Sequence, residues 1–125
     1  FDDGIYVAAR FLEMLTKDKK SCSEVFAQLP DSINTPELKV QIAESQKFAF
    51  IEKLIKEAKF PGGKIITIDG LRVDYDNGFG LIRASNTTPY LTMRFEGDTK
   101  ADLEKIQNIF KEQLLKLDPK LQLPI

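Results

Sequence analysis

Residues 69–99 read DGLRVDYDNGFGLIRASNTTPYLTMRFEGDT, and this stretch decides the fold. Leu71, Val73 and Tyr75 alternate with Arg72 and Asp74. Ile82 and Ala84 alternate with Arg83, and Leu91, Met93 and Phe95 with Thr92 and Arg94. A period of two with apolar residues on one side predicts half-buried strands. Turn signals punctuate the run: Asp69-Gly70, flanked by strands at Ile65–Ile68 and Leu71–Tyr75, which predicts a two-residue hairpin, then Asp76-Asn77-Gly78, then the run RASNTTP at 83–89. Successive strands joined by short turns form an antiparallel meander.

Outward from this core, Asp98 or Thr99 caps a long helix bearing Leu103, Ile106, Phe110, Leu114 and Leu117, followed by a proline-containing tail to Ile125. Upstream, Leu38, Val40 and Ile42 alternate with Lys39 and Gln41 as a further strand. Ser45 is the expected cap of a helix with Phe48, Ile51, Leu54, Ile55 and Ala58, ended by Pro61-Gly62-Gly63. The fold class is α+β: an antiparallel sheet of about four strands with helices packed on one face. Residues 1–29 read differently. Ile5, Ala8, Phe11, Leu12 and Leu15 lie at helical spacing behind a cap at Asp2 or Asp3, and Ser21-Cys22-Ser23-Glu24 fits a capping box. Two prolines bracket polar residues at 30–36, the expected hinge, so the organisation is 1–29, hinge 30–36, and 37–125. Phe1 stands where a methionine would begin a chain, and the sequence is expected to be an excised piece of something longer or a processed product.

Composition narrows the chemistry. Lys plus Arg is 18 against 19 for Asp plus Glu, which removes the electrostatic reason to expect nucleic acid. No apolar run approaches the length that spans a bilayer. The single cysteine, Cys22, has no partner for a disulfide and is expected to serve packing. With no histidine anywhere, the commonest general base and every histidine-dependent triad are absent, and no metal site is expected. Asp2-Asp3 reads as a helix cap rather than a metal pair. Lys47 and Lys53 read as solubilising charges on an exposed helix face. Tyr75, Phe79 and Tyr90 offer aromatic surface without the basic groove that single-stranded nucleic acid requires.

The turn at 83–89 carries the most chemistry. It supplies the guanidinium of Arg83, the hydroxyls of Ser85, Thr87 and Thr88, and the carboxamide of Asn86, with Pro89 stiffening its exit. A planar fork plus neutral donors suits a phosphate. The nearest carboxylates along the chain are Glu96, Asp98, Asp74 and Asp76, none inside the turn. Alternation places Arg83 and Ser85 on the same face as Thr92 and Arg94, so two guanidiniums emerge on the polar side near the turn. The same residues are also ordinary turn formers, and strand arginines are commonly solvated, so both readings stand.

Residues 69–99, with FDDGIYVAARFLEML at 1–15 and INTPELKV at 33–40, resemble the α-D-phosphohexomutases, and the likeness covers essentially the whole chain. It implies the fourth, C-terminal domain of a four-domain enzyme, with a fold similar to the TATA-box-binding protein, behind the helical end of the third domain. Such enzymes interconvert hexose 1-phosphate and hexose 6-phosphate through a phosphoserine and a hexose 1,6-bisphosphate, with Mg²⁺. On this chain the family's phosphate loop falls on Arg83, Ala84, Ser85, Asn86 and Thr87, with Arg94 also matching a family arginine. The resemblance implies partners in a phosphohexose substrate (glucose or mannose phosphates) and in upstream domains of the same polypeptide. It also implies a cytoplasmic setting, and places the phosphoserine, the Mg²⁺ ligands and the sugar-recognition loop upstream of Phe1. The alternative is a non-catalytic interaction module that docks a partner on the sheet or its loops.

Overall fold

Alternating apolar residues pair one sheet face with helices and leave the other face polar, and this division organises everything below. A computed structural model of the chain describes residues 2–29 and 32–125. The chain divides into two compact units, Phe1–Asp31 and Ser32–Ile125. Pro30 and Asp31, part of the hinge expected over 30–36, lie outside the described residues.

The first unit is helical. In α1 (Gly4–Lys17) the Asp3 side chain accepts from the Tyr6 amide at 2.9 Å, the cap expected of an Asp ahead of an apolar run. In α2 (Cys22–Phe26) Ser21 and Glu24 close a reciprocal capping box. The Ser21 hydroxyl and backbone amide hold the Glu24 carboxyl below its ordinary range. Phe11 and Phe26 pack with ring centroids 5.8 Å apart. Cys22, expected to pack, is instead exposed, because the first turn of so short a helix leaves its side chains in solvent.

The second unit holds six strands: β1 (Ile33–Asn34), β2 (Leu38–Gln41), β3 (Lys64–Ile66), β4 (Leu71–Tyr75), β5 (Gly78–Ala84) and β6 (Tyr90–Gly97), with α3 (Lys47–Glu57) after β2 and α4 (Lys100–Leu117) after β6. All pairings are antiparallel. The order is β1-β6-β5-β4-β3, with β2 also pairing β6. The expected count of about four rises because β6, eight residues long, outruns β2 and takes β1 along the rest of its edge. Between them Thr35 is buried, its amide donating to the Phe95 carbonyl at 2.9 Å and its hydroxyl accepting from the Phe95 amide at 3.1 Å.

Val40, Leu71, Val73, Ile82, Leu91, Met93 and Phe95 fill the inner sheet face. Against them pack Ile51 and Leu54 of α3 and Leu103, Ile106, Phe110 and Leu114 of α4. Each such side chain contributes about 1.5–3 kcal/mol by burial. Phe110 lies between Phe60 and Phe95, with centroids at 4.9 and 5.2 Å, over the bare backbone of Gly80. Thr99 caps α4 by accepting from the Asp102 amide.

Two expectations about the bounds of these elements also fail. Gln46, not Ser45, precedes α3, and no side chain caps it, because a turn closed by the Gln46 amide on the Ala43 carbonyl delays the helix. The Asp69-Gly70 hairpin is also wider than two residues. A two-residue turn would set Ile66 opposite Val73, whereas Ile66 pairs with Arg72 and Ile65 with Val73. This one-residue shift turns Ile66 to the polar face. The two-residue hairpin is Asp76-Asn77, between the paired Tyr75 and Gly78.

Candidate functional site

The register gives the polar face two cross-strand rows. Lys39, Thr92 and Arg83 stand side by side on β2, β6 and β5. One step along, Arg94, Leu81, Arg72 and Ile66 stand on β6, β5, β4 and β3. Arg83 and Arg94 thus share the polar face, as alternation predicts, and Arg72 joins them. That third arginine was legible: with Tyr75 paired to Gly78, Arg72 must face Leu81, which faces Arg94.

The three guanidiniums differ in what they touch. Arg72 donates from Nε to Asp74 at 2.6 Å and lies 3.7 Å above the Phe79 ring, so it is neutralised and stacked. Arg83 donates from Nη1 to Asp69 Oδ2 at 3.0 Å. Arg94 touches only Asn34 Oδ1, at 3.5 Å, and has no carboxylate partner among the described residues. They line an open hollow of about 430 Å³, floored by Leu81 and Ile66 and flanked by Ile68, Asp69 and Glu37.

The turn after β5 walls a second hollow, of about 330 Å³, which shares Arg83, Glu37 and Thr92 with the first. Ala84, Ser85, Asn86, Thr87 and Thr88 line it together with Lys39. Local bonds shape the turn. The Ser85 amide donates to the Tyr90 carbonyl at 2.9 Å, the Ser85 and Thr88 hydroxyls lie 2.7 Å apart, and the Thr88 amide donates to Ser85 Oγ at 3.2 Å. The Ser85 and Thr88 hydroxyls are therefore turned partly inward. The amides of Asn86 and Thr87 have no acceptor among the described residues, and sit at the tip with the Asn86 carboxamide and Thr87 hydroxyl. The turn can present to an anion one charged fork, two backbone amides and two neutral side-chain donors, which is the donor set a phosphate takes.

Three features escaped sequence reasoning. Asp69, not one of the four acids near in sequence, is the carboxylate closest to Arg83. Gly70, at φ +78°, lies against β5, where an added Cβ would come within 2.7 Å of Arg83 Cβ, and this approach carries Asp69 to the guanidinium. Lys39 and Glu37 reach the site from β2 and its approach, an adjacency that exists only because β2 pairs with β6. Lys47, read as a surface charge, is fully buried. Its ammonium donates to the Thr88 carbonyl at 3.2 Å and pairs with Glu44 at 2.6 Å. The signal was its place on the stripe of Ile51 and Leu54, at spacings of four and seven.

Among the described residues no group of acidic or cysteine side chains converges to hold a metal ion. None of the described helices is long and apolar enough to cross a membrane.

Comparison with known proteins gives consistent matches. The family model described as phosphoglucomutase/phosphomannomutase, C-terminal domain, matches residues 37–113. A phosphomannomutase/phosphoglucomutase of Pseudomonas putida is 50% identical over 124 residues, which is 99% of this chain and 27% of that protein. A phosphoglucomutase of Neisseria gonorrhoeae is 51% identical over 127 residues, covering 100% of this chain and again 27% of its own length. Among solved structures, a phosphoglucomutase/phosphomannomutase family protein from Burkholderia thailandensis matches with a TM-score of 0.86 and 43% identity, over 100% of this chain and 26% of that one. The chain spans about a quarter of the length of these relatives.

Proposed function

This chain belongs to the phosphoglucomutase/phosphomannomutase family, whose C-terminal domain it carries, and from that premise we propose that its turn at 83–89 clamps the phosphate not being transferred as the whole enzyme interconverts hexose 1-phosphate and hexose 6-phosphate. The observation that carries this reading is that Arg83, Asn86 and Thr87 line one hollow at the end of the polar sheet face, with no acceptor for the Asn86 and Thr87 amides among the described residues. Arg83 supplies the charge-assisted fork, Asn86 and Thr87 the neutral donors, and Ser85 and Ala84 the backbone shape. Arg94, without a carboxylate partner among the described residues, adds positive potential one row away.

A clamp on the remote phosphate makes mechanistic sense. Its binding energy orients the sugar and excludes water at the reacting end. The hexose must be held in two orientations, so the clamp reads the phosphate they share rather than hydroxyls that differ. The domain closes over the bound substrate and reopens for release. In this reading the upstream domains of a cytoplasmic enzyme supply the phosphoserine that exchanges with a hexose 1,6-bisphosphate, and the Mg²⁺ site. The acids of this domain do not fit a metal, so no step here runs through one. The names of the relatives point to glucose and mannose phosphates as substrates.

The test is an amide-resolved NMR titration of the 125-residue chain with glucose 1-phosphate and with inorganic phosphate. Shifts centred on Arg83 to Thr87, similar for both ligands and abolished by Arg83→Ala, are expected. Shifts spread over the outer sheet with a protein partner, and none with phosphate, would replace the clamp with an interaction module.

A further inference from the structure

A buried ammonium is costly unless acceptors surround it, so a lysine with no exposed side-chain surface calls for a reason. Lys47 is such a residue, at 0% exposure. It opens α3, and its Nζ meets the Thr88 carbonyl at 3.2 Å, Glu44 Oε1 at 2.6 Å and the face of Phe48 at 5.2 Å from the ring centroid. The Thr88 carbonyl also accepts the Tyr90 amide at 2.8 Å, and the neighbouring Pro89 carbonyl accepts the Ile42 amide at 3.1 Å. The second half of the turn is thus bolted from behind to α3 and to the chain entering it, while its tip at Asn86 and Thr87 stays open.

We propose that Lys47 is a positioning residue of the phosphate clamp, fixing the turn through the Thr88 carbonyl so that the Asn86 and Thr87 amides are held ready for the anion. The inference rests on the clamp reading of that turn. Its geometric logic is that the Thr88 carbonyl lies two peptide planes beyond the Thr87 amide: releasing it loosens the short segment that carries both open amides. Glu44, 2.6 Å away, compensates the charge of the ammonium, so what Lys47 brings to the turn is the bond to the Thr88 carbonyl. A surface lysine would not make it.

Lys47→Met keeps the length and packing of the side chain but removes donor and charge. In the 125-residue chain this variant should bind inorganic phosphate about tenfold more weakly, the scale of a lost charge-assisted bond. Hydrogen exchange should quicken about tenfold at the Thr88 and Tyr90 amides, with core amides such as those of Met93 and Phe95 unaltered. A folded variant with unchanged phosphate affinity and unchanged exchange in the turn overturns the proposal.

A second measurement needs no variant. The wild-type Lys47 ammonium resonance should exchange with water far more slowly than that of exposed Lys53, and should move with Asn86 and Thr87 as phosphate is added. If the Asn86 and Thr87 amides respond while Lys47 stays still, the positioning role is wrong and the clamp stands. If none of them responds, the clamp reading fails and this inference falls with it.

Discussion

Arg83 and Asp69 form an ion pair of 3.0 Å across the rim of the candidate phosphate site, although fourteen residues separate them in the chain. Both side chains are well exposed, and such pairs contribute at most about 1 kcal/mol to folding. The pair's larger consequence is for binding, because Asp69 puts a negative charge beside the guanidinium that would grip the phosphate. Asp69→Asn should therefore tighten inorganic phosphate binding roughly three- to tenfold, the scale expected for one like charge at a few ångströms in a solvated site. Folding stability should change by less than about 1 kcal/mol. Weaker binding in the variant would mean that Asp69 orients Arg83 rather than competing for it.

Arg83 itself is expected to matter more than any neighbour. In the full-length enzyme, Arg83→Ala should cost about 2–5 kcal/mol in kcat/KM, typical of stranding a charged group without its partner. A loss below twofold in steady-state kinetics counts against the clamp.

The chain on its own should not interconvert glucose 1-phosphate and glucose 6-phosphate. In the proposed function the phosphoserine and its metal belong to the upstream domains, and a remote phosphate clamp would hold substrate without moving a phosphoryl group. A coupled assay that detects glucose 6-phosphate above a buffer blank would refute this.

Tyr75 carries the one buried side-chain polar atom without a hydrogen-bond partner among the described residues, its hydroxyl. Burial raises its pKa above the ordinary 10.0. The sign follows from linkage: the unfolded chain ionises first, so the contribution of neutral Tyr75 is whole below about pH 10 and is lost as pH rises through the higher folded value. Tyr75→Phe should raise stability by about 1 kcal/mol at neutral pH, since it deletes an unsatisfied group without opening a cavity. Urea unfolding at neutral and at alkaline pH checks both claims: the advantage of the variant should grow on the alkaline side.

Gly80 is where α4 touches the sheet backbone, and a Cβ there would collide with the ring of Phe110. Gly80→Ala should destabilise the domain by about 1–3 kcal/mol through forced displacement of that ring. Combining it with Phe110→Leu should give less than the sum of the two single losses, because the smaller side chain yields the space. Strict additivity in denaturant melts would show that the ring is not what resists the methyl group.

Much of the architecture was legible in the order of residues. Alternation over 71–75, 80–85 and 90–96 is a backbone property, since successive side chains must point to opposite faces. It assigned Leu91, Met93 and Phe95 to the core and Arg83 and Arg94 to the other side. The turn RASNTTP was equally legible as a cluster of hydrogen-bond donors. What only tertiary structure decided was adjacency between segments distant in the chain. Pairing of β2 with β6 brought Lys39 and Glu37 to the turn. The close approach of Gly70 to β5 brought Asp69 to Arg83 and, with a one-residue shift in pairing, turned Ile66 toward the arginines. Burial of Lys47 followed from where α3 begins relative to Thr88. A sequence constrains its neighbours within a few residues through steric and periodic rules. Which charge meets which across the sheet depends on packing that minimises exposed apolar surface over the whole domain, and no local pattern encodes that sum.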